Sequence, residues 1–261
     1  MATVASTSTW AEHPELAAFY ATHRRRPEDL YPSERKFVPW LAAQGSSVLD
    51  VGCAAGGFKD IWRHYNPVIR YRGVDLSPSL IDTAQRLHPD GQFLQGDCAA
   101  GLPLPDRCAD VVQALGWLHW EPRYPAAIRE LWRLTGTHLF LDVRIRVAGE
   151  EDLIGRQKLA FAGSWDGRTM TPYVAVGWRA FAQSLLALQP ARILGYGYRG
   201  APAETVIDLE PDICFAVFVL QRAPIRRTPS RPTVCLDLPM PWPDRDRGHV
   251  LEAERLEALL A

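Results

Sequence analysis

At 261 residues and 47% hydrophobic content, the chain suits one globular domain with attachments, and its formal charge of −1 gives no electrostatic reason to expect nucleic acid or an anionic membrane as partner. No apolar run reaches membrane-spanning length, and the opening MATVASTSTWAEHPE lacks the basic-then-apolar order of a secretory signal. The five cysteines (Cys53, Cys98, Cys108, Cys214, Cys235) form no CxxC and no metal-ligand cluster, and their odd number argues against a disulfide framework, so a reduced, soluble, cytoplasmic protein without a metal is expected.

Residues 1–9 are small and hydroxyl-rich. The spacing of Leu16, Phe19, Tyr20 and His23 predicts a helix over 15–24, which Arg24-Arg25-Arg26-Pro27 breaks. A second helix over 33–43 carries Phe37, Trp40 and Leu41, with Ser33 as its N-cap. The stretch 46–58, SSVLDVGCAAGGF, is an apolar strand ending at Asp50-Val51, then a glycine-rich turn. The i, i+3, i+4, i+7 set Phe58-Ile61-Trp62-Tyr65 opens the next helix. Residues 70–74 form a second strand ending at Asp75, and 92–95 a third ending in Gly96-Asp97. Between them Ser77-Pro78 starts a helix with Leu80, Ile81, Ala84 and Leu87 inward.

A fourth strand, 109–115, leads into Gly116-Trp117-Leu118-His119-Trp120, a helix over 124–134, and a fifth strand over 137–143. Residues 148–176 lack a clean period. A helix over 177–188 precedes strands at 192–198 and 213–220, which no helix separates and which are therefore expected to be antiparallel. The prolines of 224–243 imply an extended surface segment, and 249–260 a short helix.

Asp50, Asp75 and Asp97 each stand at the carboxyl end of a strand, where open α/β sheets bind ligands. They are spaced by 25 and 22 residues (50 to 75, 75 to 97), about one βα unit each. VLDVGCAAGG, GVDLSP and FLQGDC, in that order, resemble the first three motifs of the class I S-adenosylmethionine-dependent methyltransferases over roughly 33–147. The resemblance implies an α/β, Rossmann-like, doubly wound seven-stranded sheet with the last strand antiparallel and helices on both faces. It implies three regions: an N-terminal helical lid (1–45), a core (46–222) with an acceptor-capping insertion at 148–176, and a Pro-rich tail (223–261) ending in a short helix.

It also implies S-adenosyl-L-methionine as cofactor, leaving as S-adenosyl-L-homocysteine, and a small-molecule acceptor. Asp50 would sit near the methionyl amino group, and Gly52, Cys53, Ala54 and Gly56 would let the backbone approach the tail. Asp75 would accept from both ribose hydroxyls. Leu76 would pack on the adenine, Asp97 and Cys98 would meet its edge, and Ala114 would lie at the fourth strand's end. The turn departs from the family in its two alanines, which would be strained at positive φ.

Methyl transfer chiefly needs positioning, with a base where the nucleophile carries a proton. His119 is the candidate base, or else it only bonds a helix end or loop. Asp142 and Arg144 share a strand face and would orient a polar acceptor, or pair with each other on the surface. Trp117, Trp120, Trp165 and Tyr173 are candidate acceptor walls. Tyr20, Tyr31 and the arginine triplet are candidate contacts from the lid, although charge runs are usually solvated. The motifs of amino-methylating nucleic-acid enzymes and of ribose methyltransferases are missing. The expected activity is therefore O-methylation of a natural product or sugar by a monomer or homodimer. The alternatives are a cofactor-binding accessory protein without transfer activity, or an NAD-dependent dehydrogenase.

Overall fold

The computed structural model describes residues 15–161, 164–223 and 232–240. Five strands run parallel: β1 Ser47–Val51, β2 Arg70–Asp75, β3 Gln92–Gln95, β4 Ala109–Ala114 and β5 Thr135–Arg146, in spatial order β3-β2-β1-β4-β5. β1 and β4 are buried nearly throughout because helices cover both faces of the sheet. On one face α2 (Pro32–Gln44) and α3 (Phe58–Tyr65) bury Phe37, Leu41, Ile61 and Trp62 against Val48, Val111 and Phe140. On the other, α5 (Tyr124–Leu134) and α6 (Trp178–Ala187) bury Ile128, Leu131, Phe181 and Leu185 against Leu49, Val112 and Leu139. The first helix, α1 (Glu15–Tyr20), lies against α4 (Pro78–Leu87).

The last long strand, β10 (Ile213–Gln221), enters antiparallel between β5 and β8 (Arg192–Gly200). The sheet has eight strands rather than the seven expected. The eighth, β11 (Thr233–Asp237), pairs parallel with β8 at the edge and comes from the proline-dense tail. Its five residues contain no proline, so every backbone N–H is there to donate, and Pro232 and Pro239 bracket it. Cys235 and Leu236 anchor it in the core.

The stretch 148–176, which showed no period, is a hairpin of β6 (Leu153–Phe161) and β7 (Ser164–Ala175). With β9 (Val206–Ile207) it makes a second, three-stranded sheet. Alternation was hidden because a register shift falls between Lys158 and Ala160, and because Tyr173, Val174 and Ala175 are buried consecutively. The fifth strand is also longer than expected. Asp142 and Arg144 lie within it, opposite Val217 and Phe215 of β10, rather than at its end.

Ser33 is not the N-cap of α2. The N-cap is Tyr31, two residues earlier, with Pro32 at the first helical position and the Glu34 carboxylate accepting from the Tyr31 N–H at 2.8 Å. Among the described residues, no helix is long and apolar enough to cross a membrane. The helix expected at 249–260 lies outside the described residues.

Candidate active site

The carboxyl ends of β1, β2, β4 and β5 open into a cavity of about 570 Å³, whose far walls come from α1, the segment 22–31 and β7. The glycine turn forms its floor. Gly52, Ala54 and Gly56 all have positive φ, at 80°, 47° and 78°. Ala54 is thus an L-residue in the left-handed region, and its N–H donates to Oδ2 of Asp75 at 2.8 Å. The Ser77 N–H holds Oδ1 of the same carboxylate at 2.9 Å. Asp75 is therefore fixed at the tip of β2 by two backbone donors. Burial pushes its carboxyl up, against the pull of those hydrogen bonds.

Asp50 is tied inward. Tyr71 donates to its Oδ2 and Gln113 to its Oδ1, the latter at 3.0 Å, while Trp62 Nε1 donates to Gln113 at 2.9 Å. Burial outweighs both donors and pushes the Asp50 carboxyl up to about 7. A cation beside it would shift it back to the charged form. Asp97 caps the turn Cys98–Ala100 through the N–H groups of Ala99 and Ala100, and accepts from Arg123 at 3.0 Å. Gly52 has a second duty. A Cβ there would stand 2.2 Å from the Trp117 ring, whose Nε1 donates to the Val51 carbonyl at 2.6 Å.

Across the cavity from the glycine turn His119 is buried, its ring 4.3 Å from that of Trp120 and 5.0 Å from that of Tyr173. Desolvation, and then the Arg144 charge, hold its imidazole well below the ordinary value, so it is neutral at pH 7. Asp142 does not reach it. That carboxylate accepts from Arg144 Nη1 at 2.7 Å and from the Gly116 N–H at 2.7 Å. Arg144 in turn lies over Phe215 and bonds the Tyr173 hydroxyl.

Of the residues singled out from the sequence, Asp50, Gly52, Cys53, Ala54, Asp75, Leu76, Asp97, Cys98, His119, Tyr20, Tyr31, Trp117, Trp120 and Arg144 line this one cavity. Four others do not. Gly56 faces Phe93 and His88, Ala114 is core beneath β4, and Asp142 and Tyr173 stand behind Arg144. The side chain of Trp165 lies outside the described residues.

Sequence reasoning missed Thr171, Leu80 and Glu121 as lining residues, and it offered Arg24 only within the arginine triplet, with a solvated face as the favoured alternative. Arg24 is not a solvated charge: its guanidinium sits 4.3 Å over the Tyr31 ring and 5.0 Å over Phe58, and pairs with buried Glu34 at 2.6 Å. Glu34 two residues after Pro32 was the available signal, since an acid at that helix position already faces the preceding loop.

The arrangement can be tested for a sulfonium nucleoside. The left-handed turn brings backbone to the cavity, Asp75 presents a fixed carboxylate, and Asp50 lies where a cation would restore its charge. The residues fit S-adenosyl-L-methionine. A family profile described as a methyltransferase domain matches residues 49–138, the same segment that builds the floor. Over that segment the chain resembles the class I S-adenosylmethionine-dependent methyltransferases.

Curated relatives match at moderate identity. It is 34% identical over 91 residues to malonyl-[acyl-carrier protein] O-methyltransferase of Serratia marcescens, covering 35% of this chain and 34% of that protein. It is 32% identical over 120 residues to trans-aconitate 2-methyltransferase of Paracidovorax citrulli, covering 46% and 44%. The chain thus spans less than half the length of these two relatives. Among solved structures, the N-terminal domain of EvdMO1, crystallised with S-adenosyl-L-homocysteine and D-fucose, superposes with a TM-score of 0.51 at 13% identity, covering 74% of this chain and 83% of that one. At that identity the likeness concerns the fold.

Proposed function

We propose that the protein is a methyltransferase that uses S-adenosyl-L-methionine to methylate a small molecule on oxygen. The observation that carries the reading is the single cavity in which the fixed Asp75 carboxylate and the left-handed turn adjoin an aromatic chamber. The O-methyltransferase named among its relatives supports oxygen as the methylated atom.

The cofactor, when bound, supplies an electrophilic methyl group on sulfur. The chain's own residues do the rest. Asp75 accepts from the ribose hydroxyls, and the Gly52–Ala54 backbone and Arg24 meet the amino-acid tail, with Asp50 answering its ammonium. Leu76, Leu80, Asp97 and Cys98 frame the adenine. Tyr20 and Tyr31, from the lid, and Trp117 and Trp120 enclose the acceptor and exclude water. Asp142 acts as a positioning residue, because it holds Arg144 and Gly116 rather than touching the acceptor. His119 meets the acceptor as a neutral imidazole. The protein works as a monomer or homodimer in the cytoplasm, without a membrane or nucleic-acid partner.

Calorimetry with S-adenosyl-L-homocysteine against NAD tests this reading. Binding of the first alone is expected, and binding of NAD alone would instead identify a dehydrogenase. For His119, substitution by Asn separates proton transfer from hydrogen bonding, since an amide keeps a bond but takes no proton at neutral pH. A general base lost in this way would lower kcat by ~10²–10⁴. A rate in His119→Asn within about threefold of wild type, with cofactor affinity intact, is the outcome expected of a neutral positioning group.

A further inference from the structure

Six buried side-chain polar atoms lack a hydrogen-bond partner among the described residues, and three of them belong to residues that line the cavity: Arg144 Nε, Thr171 Oγ1 and His119 Nδ1. The three residues are 9%, 1% and 6% exposed. They converge from separate elements. Arg144 stands in β5, His119 in the short turn after β4, and Thr171 in β7. Thr171 lies two residues before Tyr173 and so shares its strand face. Tyr173 joins the group, its ring tilted at 55° to that of His119 with centroids 5.0 Å apart, and it bonds the Arg144 guanidinium.

A buried guanidinium N–H and a buried hydroxyl without partners bear their desolvation cost in full, and an apolar ligand would leave that cost in place. Both atoms can donate, and the pair therefore calls for a ligand with two acceptor atoms, which the two oxygens of a carboxylate supply.

We infer that the molecule methylated here is a carboxylic acid, its carboxylate received by Arg144 and Thr171 and its apolar body lying against Trp117 and Trp120. This rests on the methyltransferase reading above and names the class of its acceptor. Two further features agree. His119 is neutral, and Arg144 opposes its protonation, so the chamber offers little affinity for a proton taken from an alcohol. Asp142 is already engaged by Arg144 and Gly116. A carboxylate needs neither of them as a base. One of its oxygens forms the bond to the methyl carbon as the methyl–sulfur bond breaks. The electron pair of that bond stays on sulfur, the anion and the sulfonium become a neutral ester and a thioether, and no proton moves. An alcohol would arrive with a proton to lose and would offer the guanidinium N–H only a neutral acceptor.

The test uses the full chain and matched probes: octanoate, phenylacetate and trans-aconitate, each beside its neutral amide and its alcohol. Calorimetry is done on protein saturated with S-adenosyl-L-homocysteine, and transfer is followed with methyl-labelled S-adenosyl-L-methionine. At least one acid is expected to bind about tenfold or more tightly than its amide and alcohol, as a charge-assisted bond predicts. Its product should release labelled methanol on mild alkaline treatment, as an ester does and an ether or amine does not. Thr171→Val, which removes only the unpaired hydroxyl, and Arg144→Lys, which keeps the charge but loses the planar fork, should each reduce the preference for acid over amide about fivefold or more. Both should leave S-adenosyl-L-homocysteine affinity within about twofold, which also shows that they are folded.

If S-adenosyl-L-homocysteine binds but no acid is preferred, or if the labelled product is alkali-stable, the carboxylate assignment is overturned while the methyltransferase reading stands. An acid preference that survives in both variants would overturn the role of this wall. Failure of S-adenosyl-L-homocysteine to bind the wild type would overturn the reading beneath the inference.

Discussion

The two halves of the cavity treat their polar groups differently. On the cofactor side, the carboxylates of Asp75 and Asp97 are gripped by backbone N–H groups within a few residues of a strand end, and Asp50 is gripped by Tyr71 and Gln113 on the strands beside it. On the side proposed for the acceptor, Arg144, Thr171 and His119 each have a buried polar atom without a partner among the described residues. A rigid, satisfied half suits a ligand that is the same for every member of a family. A half with unsatisfied donors is specific, because only a molecule that completes them recovers their cost.

The largest effect is expected at the seam between the halves. Gly52→Ala would place a side chain at φ +80° and 2.2 Å from Trp117. Left-handed strain together with overpacking should lower stability by ~2–5 kcal/mol, read in denaturant melts, and should abolish S-adenosyl-L-homocysteine binding. Normal stability and binding would mean that Trp117 swings freely and is not a fixed wall.

Next in size is Asp75→Ala, which removes a charged acceptor worth ~1.5–3 kcal/mol per bond and should weaken S-adenosyl-L-homocysteine by tens-fold or more in calorimetry. An unchanged affinity in the folded variant would remove Asp75 from the cofactor.

Asp50 gives a pH signature. Its folded carboxyl is pushed up to about 7, above the ordinary value of ~4 in the unfolded chain. The folded state therefore holds a proton that the unfolded state has lost between those values. This contribution to stability is full at the acid end, declines as pH rises from about 4 to about 7, and is level above. Asp75 slopes in the same direction, since burial raises it too. Asp50→Asn should flatten the Asp50 share of that decline in melting temperature measured across the window. An identical slope in the variant would contradict the burial that drives it.

The smallest effect belongs to Ala54, an alanine at φ +47°. Ala54→Gly relieves the left-handed strain at some entropic cost, so a gain of up to ~1 kcal/mol is expected in denaturant melts. A loss would show that the Cβ of Ala54 makes a contact worth more than the strain.

The parallel strands, the positions of Asp50, Asp75 and Asp97, the glycine-rich turn and the antiparallel pairing of the last strands were all legible in the chain. Each is a local matter, since a strand, the turn that follows it and the acid at its tip lie within a few residues, and hydrophobic period and glycine chemistry act over that range. The acceptor wall was legible only as a set of candidates. Arg24, His119, Arg144 and Thr171 meet from distant parts of the sequence. Whether Asp142 faces His119 or Arg144 depends on how far β5 extends and on its register with β10. Thr171 reaches the cavity only because the β6–β7 hairpin folds back, tied by the bridge between Ile145 and Val176. The eighth strand likewise needed the free edge of β8. Sequence determined where a nucleoside could be held. Tertiary structure decided which donors were left unpaired beside it, because a side chain's partner is settled by long-range pairing that no local pattern encodes.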